Sequence, residues 1–193
     1  MKAGISQRAL GDAPYCGDLC ASWTSGSKTI LCIVDGLGHG RAAAAAAEAA
    51  ISYVDSHLEG PLPEIFEGCD RAISATRGVA MAIVEADIGA CRLSYACIGN
   101  TRGQLYGKRT IRLQSQYGIV GGGFRTLTAA SIAYDPEDIL VLWTDGVSDD
   151  VDISRYGPKD LAEPQRLAER VIEDHALGTD DAAVLVFLDP NLR

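Results

Sequence analysis

The chain has 193 residues, 47% of them hydrophobic, and a net charge of −9 from 26 acidic and 17 basic residues. That length suits one ordinary domain with a substantial core, and the acidic balance argues against a nucleic-acid partner, since phosphate backbones are bound through clustered Lys and Arg. No apolar run approaches the length of a transmembrane helix, and the opening stretch "MKAGISQRALGD" lacks the apolar region of a signal peptide, so a cytoplasmic protein without a membrane partner is expected.

In chain order, "YCGDLCASW" places Asp18 just ahead of a possible short strand. The run "KTILCIV" at 28–34 is apolar and rich in β-branched residues, which predicts a buried strand. Residues 41–58 contain six consecutive alanines and neither Gly nor Pro, which predicts a helix. After the break at Gly60-Pro61-Leu62-Pro63, a second helix is expected over roughly 63–76. "VAMAIVEAD" and "CRLSYACIG" then read as a hairpin turning at Ile88-Gly89, with Cys91, Leu93, Tyr95 and Cys97 on one face. "RGQLYG" and "TIRLQ" are further short strands, and the glycines of "YGIVGGGFRTLT" suggest a flap or turn. "DILVLWTDG" is another buried strand, Pro164 to His175 a third helix, and "DAAVLVFLD" a closing strand. Strands cluster and regular βαβ alternation is absent, so the fold class expected is α+β with largely antiparallel sheets, in a single domain over residues 1–193.

The six cysteines lack the paired spacing and His partners of a zinc site, and read as buried free thiols. The aspartates carry more information. Asp35 ends "ILCIVDG" and Asp145 ends "ILVLWTDG", so each lies at the end of an apolar strand and is followed by glycine. Asp180 immediately precedes a third such strand, and Asp18 precedes the possible short one. If those ends are neighbours, the carboxylates form one acidic pocket. Clustered carboxylates repel unless cations neutralise them, and oxygen-only donors suit Mg²⁺ or Mn²⁺. A lone Asp-Gly step after a strand is an ordinary turn, which keeps the bland reading open for each site taken singly.

"VDGLGHG", "WTDGVSDD" and "GTDDAAVLVF", in that order, resemble the metal-dependent protein serine/threonine phosphatases of the PPM, or type 2C, family. The Gly-His-Gly variant is similar to the bacterial SpoIIE-like branch, and "YCGDLCASW", "ACIGNTRGQLY" and "YGIVGG" fall where that branch has its other signatures. With no sensor, kinase or STAS domain in these residues, the likeness is to stand-alone stressosome phosphatases. The resemblance implies two packed antiparallel β-sheets flanked by helices and two Mn²⁺ or Mg²⁺ ions. Asp35 would bridge the ions, the Gly36 carbonyl would bind the second, Asp145 and Asp180 the first, and Asp18 would assist directly or through water. It implies hydrolysis of phosphoserine or phosphothreonine by a metal-activated water. The expected partners are phosphorylated STAS-domain or scaffold proteins of a stressosome-like complex. The rival from another class is a catalytically silent phosphoprotein-binding module. Leu37 stands where many relatives have a histidine, and His39 is read as a cap or turn contact rather than a proton donor. Ala182 and Ala183 replace the hydroxyl residues common after the last aspartate pair. Asp181 is a candidate for supporting a metal ligand, Asp149 for an additional labile metal site, and both Asp149 and Asp150 for solvated turn positions.

Overall fold

The computed structural model describes residues 3–11 and 13–191. Met1, Lys2, Asp12, Leu192 and Arg193, part of the expected single domain, lie outside the described residues. The strands are β1 (Ala3–Arg8), β2 (Asp18–Ser25), β3 (Lys28–Gly36), β4 (Val79–Asp87), β5 (Arg92–Ile98), β6 (Arg102–Tyr106), β7 (Ile111–Arg112), β8 (Gly118–Ile119), β9 (Gly123–Phe124), β10 (Ala130–Ala133), β11 (Ile139–Trp143) and β12 (Ala182–Leu188). The helices are α1 (Arg41–Asp55), α2 (Leu62–Ala72), the short α3 (Pro158–Leu161) and α4 (Pro164–His175).

Two five-stranded antiparallel sheets result, ordered β1-β12-β11-β6-β7 and β10-β5-β4-β3-β2, with β8 and β9 as a separate hairpin. Side-chain alternation divides the apolar residues into three layers. Leu31 and Ile33 of β3 meet Leu140, Leu142, Leu185 and Phe187 between the sheets. Their neighbours Ile30, Cys32 and Val34 face outward against α1 and α2, while Val141, Trp143, Val184 and Val186 face α4. Strands apolar throughout, such as β11 and β12, are explained by a core on both faces. The expected α+β sandwich of two packed sheets flanked by helices is the observed fold.

Boundaries differ in places. The alanine helix stops at Asp55 instead of 58, and α2 occupies Leu62–Ala72 rather than 63–76. Asp18 is the first residue of an eight-residue strand, not a residue upstream of a short one. Strand β1 has no counterpart in the sequence reading; its "AGISQR" is half polar because β1 is a sheet edge, paired only with β12. The cysteines are free, but only Cys32, Cys69 and Cys97 are buried, while Cys16, Cys20 and Cys91 are partly exposed.

The alanines allow α1 to lie close over its sheet, and Ala43, Ala46, Ala47 and Ala50 are fully buried there. Ala46→Leu forces extra methylenes into that layer and is expected to cost about 1–3 kcal/mol. For a chain of this length the melting temperature should fall by about 2–4 °C per kcal/mol. Ala45→Leu, on the exposed face of the same helix, should leave it nearly unchanged; thermal denaturation followed by circular dichroism compares the two.

Candidate metal centre

Asp35 continues the alternation of Leu31 and Ile33, so its carboxylate stands at the mouth between the sheets. In the β2–β3 register Asp18 lies directly opposite Asp35, which puts both side chains on the same face. Asp18 is 2% exposed, and its Oδ2 has no hydrogen-bond partner. The second sheet supplies the other side. Asp145 lies just past the end of β11 and Asp180 just before β12, two adjacent antiparallel strands. Asp35, Asp145 and Asp180 line one open cleft of about 420 Å³ together with Leu37, Asn100 and Tyr117.

Gly36 places its backbone where α1 begins. A Cβ there would lie 2.3 Å from the Ala43 carbonyl oxygen, so only glycine permits the observed approach. Its N–H donates to the Gly17 carbonyl (3.0 Å), tying the end of β3 to the segment just before Asp18. The capping role read for His39 is not made. Gly40 is the N-cap of α1, no side chain caps that end, and His39 is exposed.

Burial is the main cause that raises the Asp18 carboxyl from 3.8 to about 8, and the neighbouring Asp35 adds to it. Burial likewise raises Asp35 to about 7, followed by the charges of Asp145 and Asp180, while the Asn100 amide partly offsets them. Asn100 also donates from Nδ2 to Asp145 Oδ2 at 2.6 Å. Among the described residues, no three His, Cys, Asp or Glu side chains are drawn together into a closed ligand set. The donors instead surround an open cleft, with one unpartnered carboxylate oxygen buried beside it. All are hard oxygens whose repulsion a divalent cation relieves, so the chemistry of the set fits Mg²⁺ or Mn²⁺ completed by water.

One contributor, Asn100, was not assigned from the sequence, and the supporting role expected for Asp181 takes a specific form. Asn100 lies within the "ACIGNTRGQLY" motif, but nothing in its spacing singles out the amide. Asp181 is 1% exposed; its Oδ1 accepts from the Leu10 N–H (2.7 Å) and its Oδ2 from the Gly17 N–H (2.8 Å). It therefore clamps the N-terminal segment against the site, and its charge is satisfied by backbone donors. Its position in phase with the inward-facing Ala183 and Leu185 was the available signal. Asp149 does not face the cleft as a free carboxylate but pairs with Arg102, and Asp150 accepts from Ser148. A larger pocket, about 630 Å³, lies beside Tyr53, His57 and Arg71 at the turn after α1, where the four aspartates are absent. Size does not mark the site; convergent, mutually repelling carboxylates do.

A family model described as Stage II sporulation protein E (SpoIIE) matches residues 25–188. The chain belongs to this family. No curated protein sequence matches it. Among solved structures, one described as the bacterial stressosome, a modular system adapted to control secondary messenger signalling, is 29% identical. Its TM-score is 0.87 over 96% of this chain and 97% of that one. RsbX in complex with magnesium is 20% identical, with a TM-score of 0.80 over 95% and 93%. The PP2C phosphatase domain of SpoIIE from Bacillus subtilis is 18% identical, with a TM-score of 0.80 over 100% of this chain and 63% of that one. The fold is that of PPM serine/threonine phosphatases, a metal-dependent family of hydrolases.

The folded state holds the Asp18 proton more tightly than an unfolded chain does. The metal-free fold should therefore lose stability as pH rises from 3.8 towards about 8. Asp18→Asn removes that charge. Metal-free Asp18→Asn is expected to melt several degrees above the wild type at pH 8 and to gain less from added Mn²⁺; differential scanning calorimetry with and without EDTA reads both.

Proposed function

We propose that this member of the SpoIIE family removes phosphate from phosphoserine and phosphothreonine of signalling proteins, using two Mn²⁺ or Mg²⁺ ions held by Asp18, Asp35, Asp145, Asp180 and the Gly36 carbonyl. The observation that carries the reading is the convergence of Asp35, Asp145 and Asp180 on one open cleft, with Asp18 buried against Asp35. Divalent cations in such a set polarise phosphoryl oxygens and ionise water near neutral pH.

The residues have distinct duties. Asp35, on a strand packed on both faces, would contribute to holding both ions, since it stands between Asp18 on its own sheet and Asp145 and Asp180 on the other. Gly36 brings the α1 backbone against the site without a side chain to exclude it. Asn100 fixes the rotamer of Asp145 through its amide, leaving the second oxygen free to ligate. Asp181 holds the Gly17 segment, and with it Asp18, in register. Among the described residues no histidine lines the cleft, so the proton for the leaving serine or threonine oxygen would come from water in the open mouth rather than from His39.

The substrates, in our reading, are phosphorylated STAS-domain or scaffold proteins of a stressosome-like complex met in the cytoplasm. Two of the structural neighbours carry stressosome or RsbX descriptions. Among the described residues, no helix is long and apolar enough to cross a membrane. Residues 1–193 would act as one phosphatase domain.

Phosphate release from a phosphorylated STAS domain should require Mn²⁺ or Mg²⁺, stop with EDTA, and fall at least 100-fold in Asp35→Asn, on the scale set by losing a principal electrostatic contributor. Folded, metal-loaded protein that binds the phosphoprotein without turnover would favour the silent binding module instead.

A further inference from the structure

A second depression opens directly off the aspartate cleft. It is lined by Gln116, Tyr117, Gly118, Phe124, Arg125 and Thr126, among others, and shares Tyr117 and Gly118 with the cleft. Its walls are the β8–β9 hairpin and the residues that flank it. That hairpin is firmly anchored. Asp70 of α2 accepts from the N–H groups of Gly121 (2.7 Å) and Gly123 (3.1 Å), and Val120 exchanges backbone hydrogen bonds of 2.8 and 2.9 Å with Val79. Phe124 packs edge-on against Phe66 at 6.5 Å. The groove is therefore a preformed extension of the site.

Its chemistry is the reverse of the cleft's. Among the described residues, the cleft presents three carboxylates, whereas the groove presents two aromatic rings and one cation, with no carboxylate in its lining. In a chain of net charge −9, Arg125 is exposed and, among the described residues, forms no ion pair. Tyr117, between cleft and groove, is fully exposed (101%), an arrangement that gains nothing for the fold. Tyrosine and arginine are the residue types that contribute most when a surface meets a polypeptide.

We propose that this groove seats the polypeptide segment adjoining the phosphorylated residue, with an apolar side chain of the substrate against Tyr117 and Phe124 and a substrate carboxylate against Arg125. The assignment rests on the phosphatase reading of the cleft. A phosphoryl group held through cations among the aspartates would have the groove beside it, because cleft and groove share Tyr117 and Gly118. A phosphoprotein with Asp or Glu beside the phosphoresidue complements Arg125, and one with Lys or Arg there is repelled.

The test uses the full chain loaded with Mn²⁺, p-nitrophenyl phosphate, and two phosphothreonine peptides that differ only in having Glu or Lys at the flanking positions. The wild type should favour the Glu peptide in kcat/KM by about threefold to tenfold, within what one exposed charge pair supplies. Arg125→Glu should invert that ratio and Arg125→Lys retain its direction. Tyr117→Ser should raise KM for both peptides. An unbiased wild type, or an Arg125→Glu variant that slows both peptides equally, overturns the groove assignment; the second result would place Arg125 on the phosphoryl group instead. Turnover of p-nitrophenyl phosphate without charge preference among peptides rejects the groove alone. No turnover of any of the three rejects the phosphatase reading and the groove with it.

Discussion

The site depends on a repulsion that the fold creates and does not itself relieve. Antiparallel pairing sets Asp18 and Asp35 side by side, Asp18 buried between the sheets and Asp35 half-buried at their mouth. The strands of the second sheet then bring Asp145 and Asp180 to the same cleft. Desolvation and like charge act in one direction and raise both Asp18 and Asp35 towards neutrality. Taken alone this is a destabilising arrangement, and the packed layers on either side of each sheet are what hold it in place. A divalent cation bound there would turn the same geometry from a cost into a binding free energy.

The surroundings follow from that constraint. Ligands on strand ends need rigid strands, which β3, β11 and β12 provide by being apolar on both faces. They also need backbone close by, which Gly36 and the alanine face of α1 allow. Carboxylates that do not face the cleft are satisfied elsewhere: Asp181 by backbone N–H groups, Asp149 by Arg102, and Asp70 by the β8–β9 hairpin. The division separates the aspartates proposed to ligate from the positioning ones by partner rather than by position in sequence.

Much of this was legible before any coordinates. The apolar runs ending in Asp35 and Asp145, and the one following Asp180, are strands because their β-branched content and length admit little else, and α4 coincides with its expected span. What sequence left open was set by tertiary partners. Strand β1 has weak local preference and exists through its pairing with β12. The end of α1 and the start of α2 are set by the turn between them, and α2 stops at Ala72 because Ile73 leaves helical geometry. Of two adjacent aspartates, Asp180 borders the cleft and Asp181 the Gly17 loop, a distinction that depends on strand phase and on a loop distant in sequence. Asn100 belongs to the same class, since an amide declares its role only when its acceptor is known.

The central claim is that the aspartate cleft exists to hold cations. Isothermal titration of the EDTA-treated protein with Mn²⁺ at pH 7.5, with Asp145→Asn and Asp180→Asn in parallel, tests it without reference to any substrate. The account predicts saturable binding of two ions by the wild type, release of protons as the raised carboxyls ionise, and weakened binding in each variant. Binding unaltered by either substitution, or no binding by a folded wild type, would contradict it.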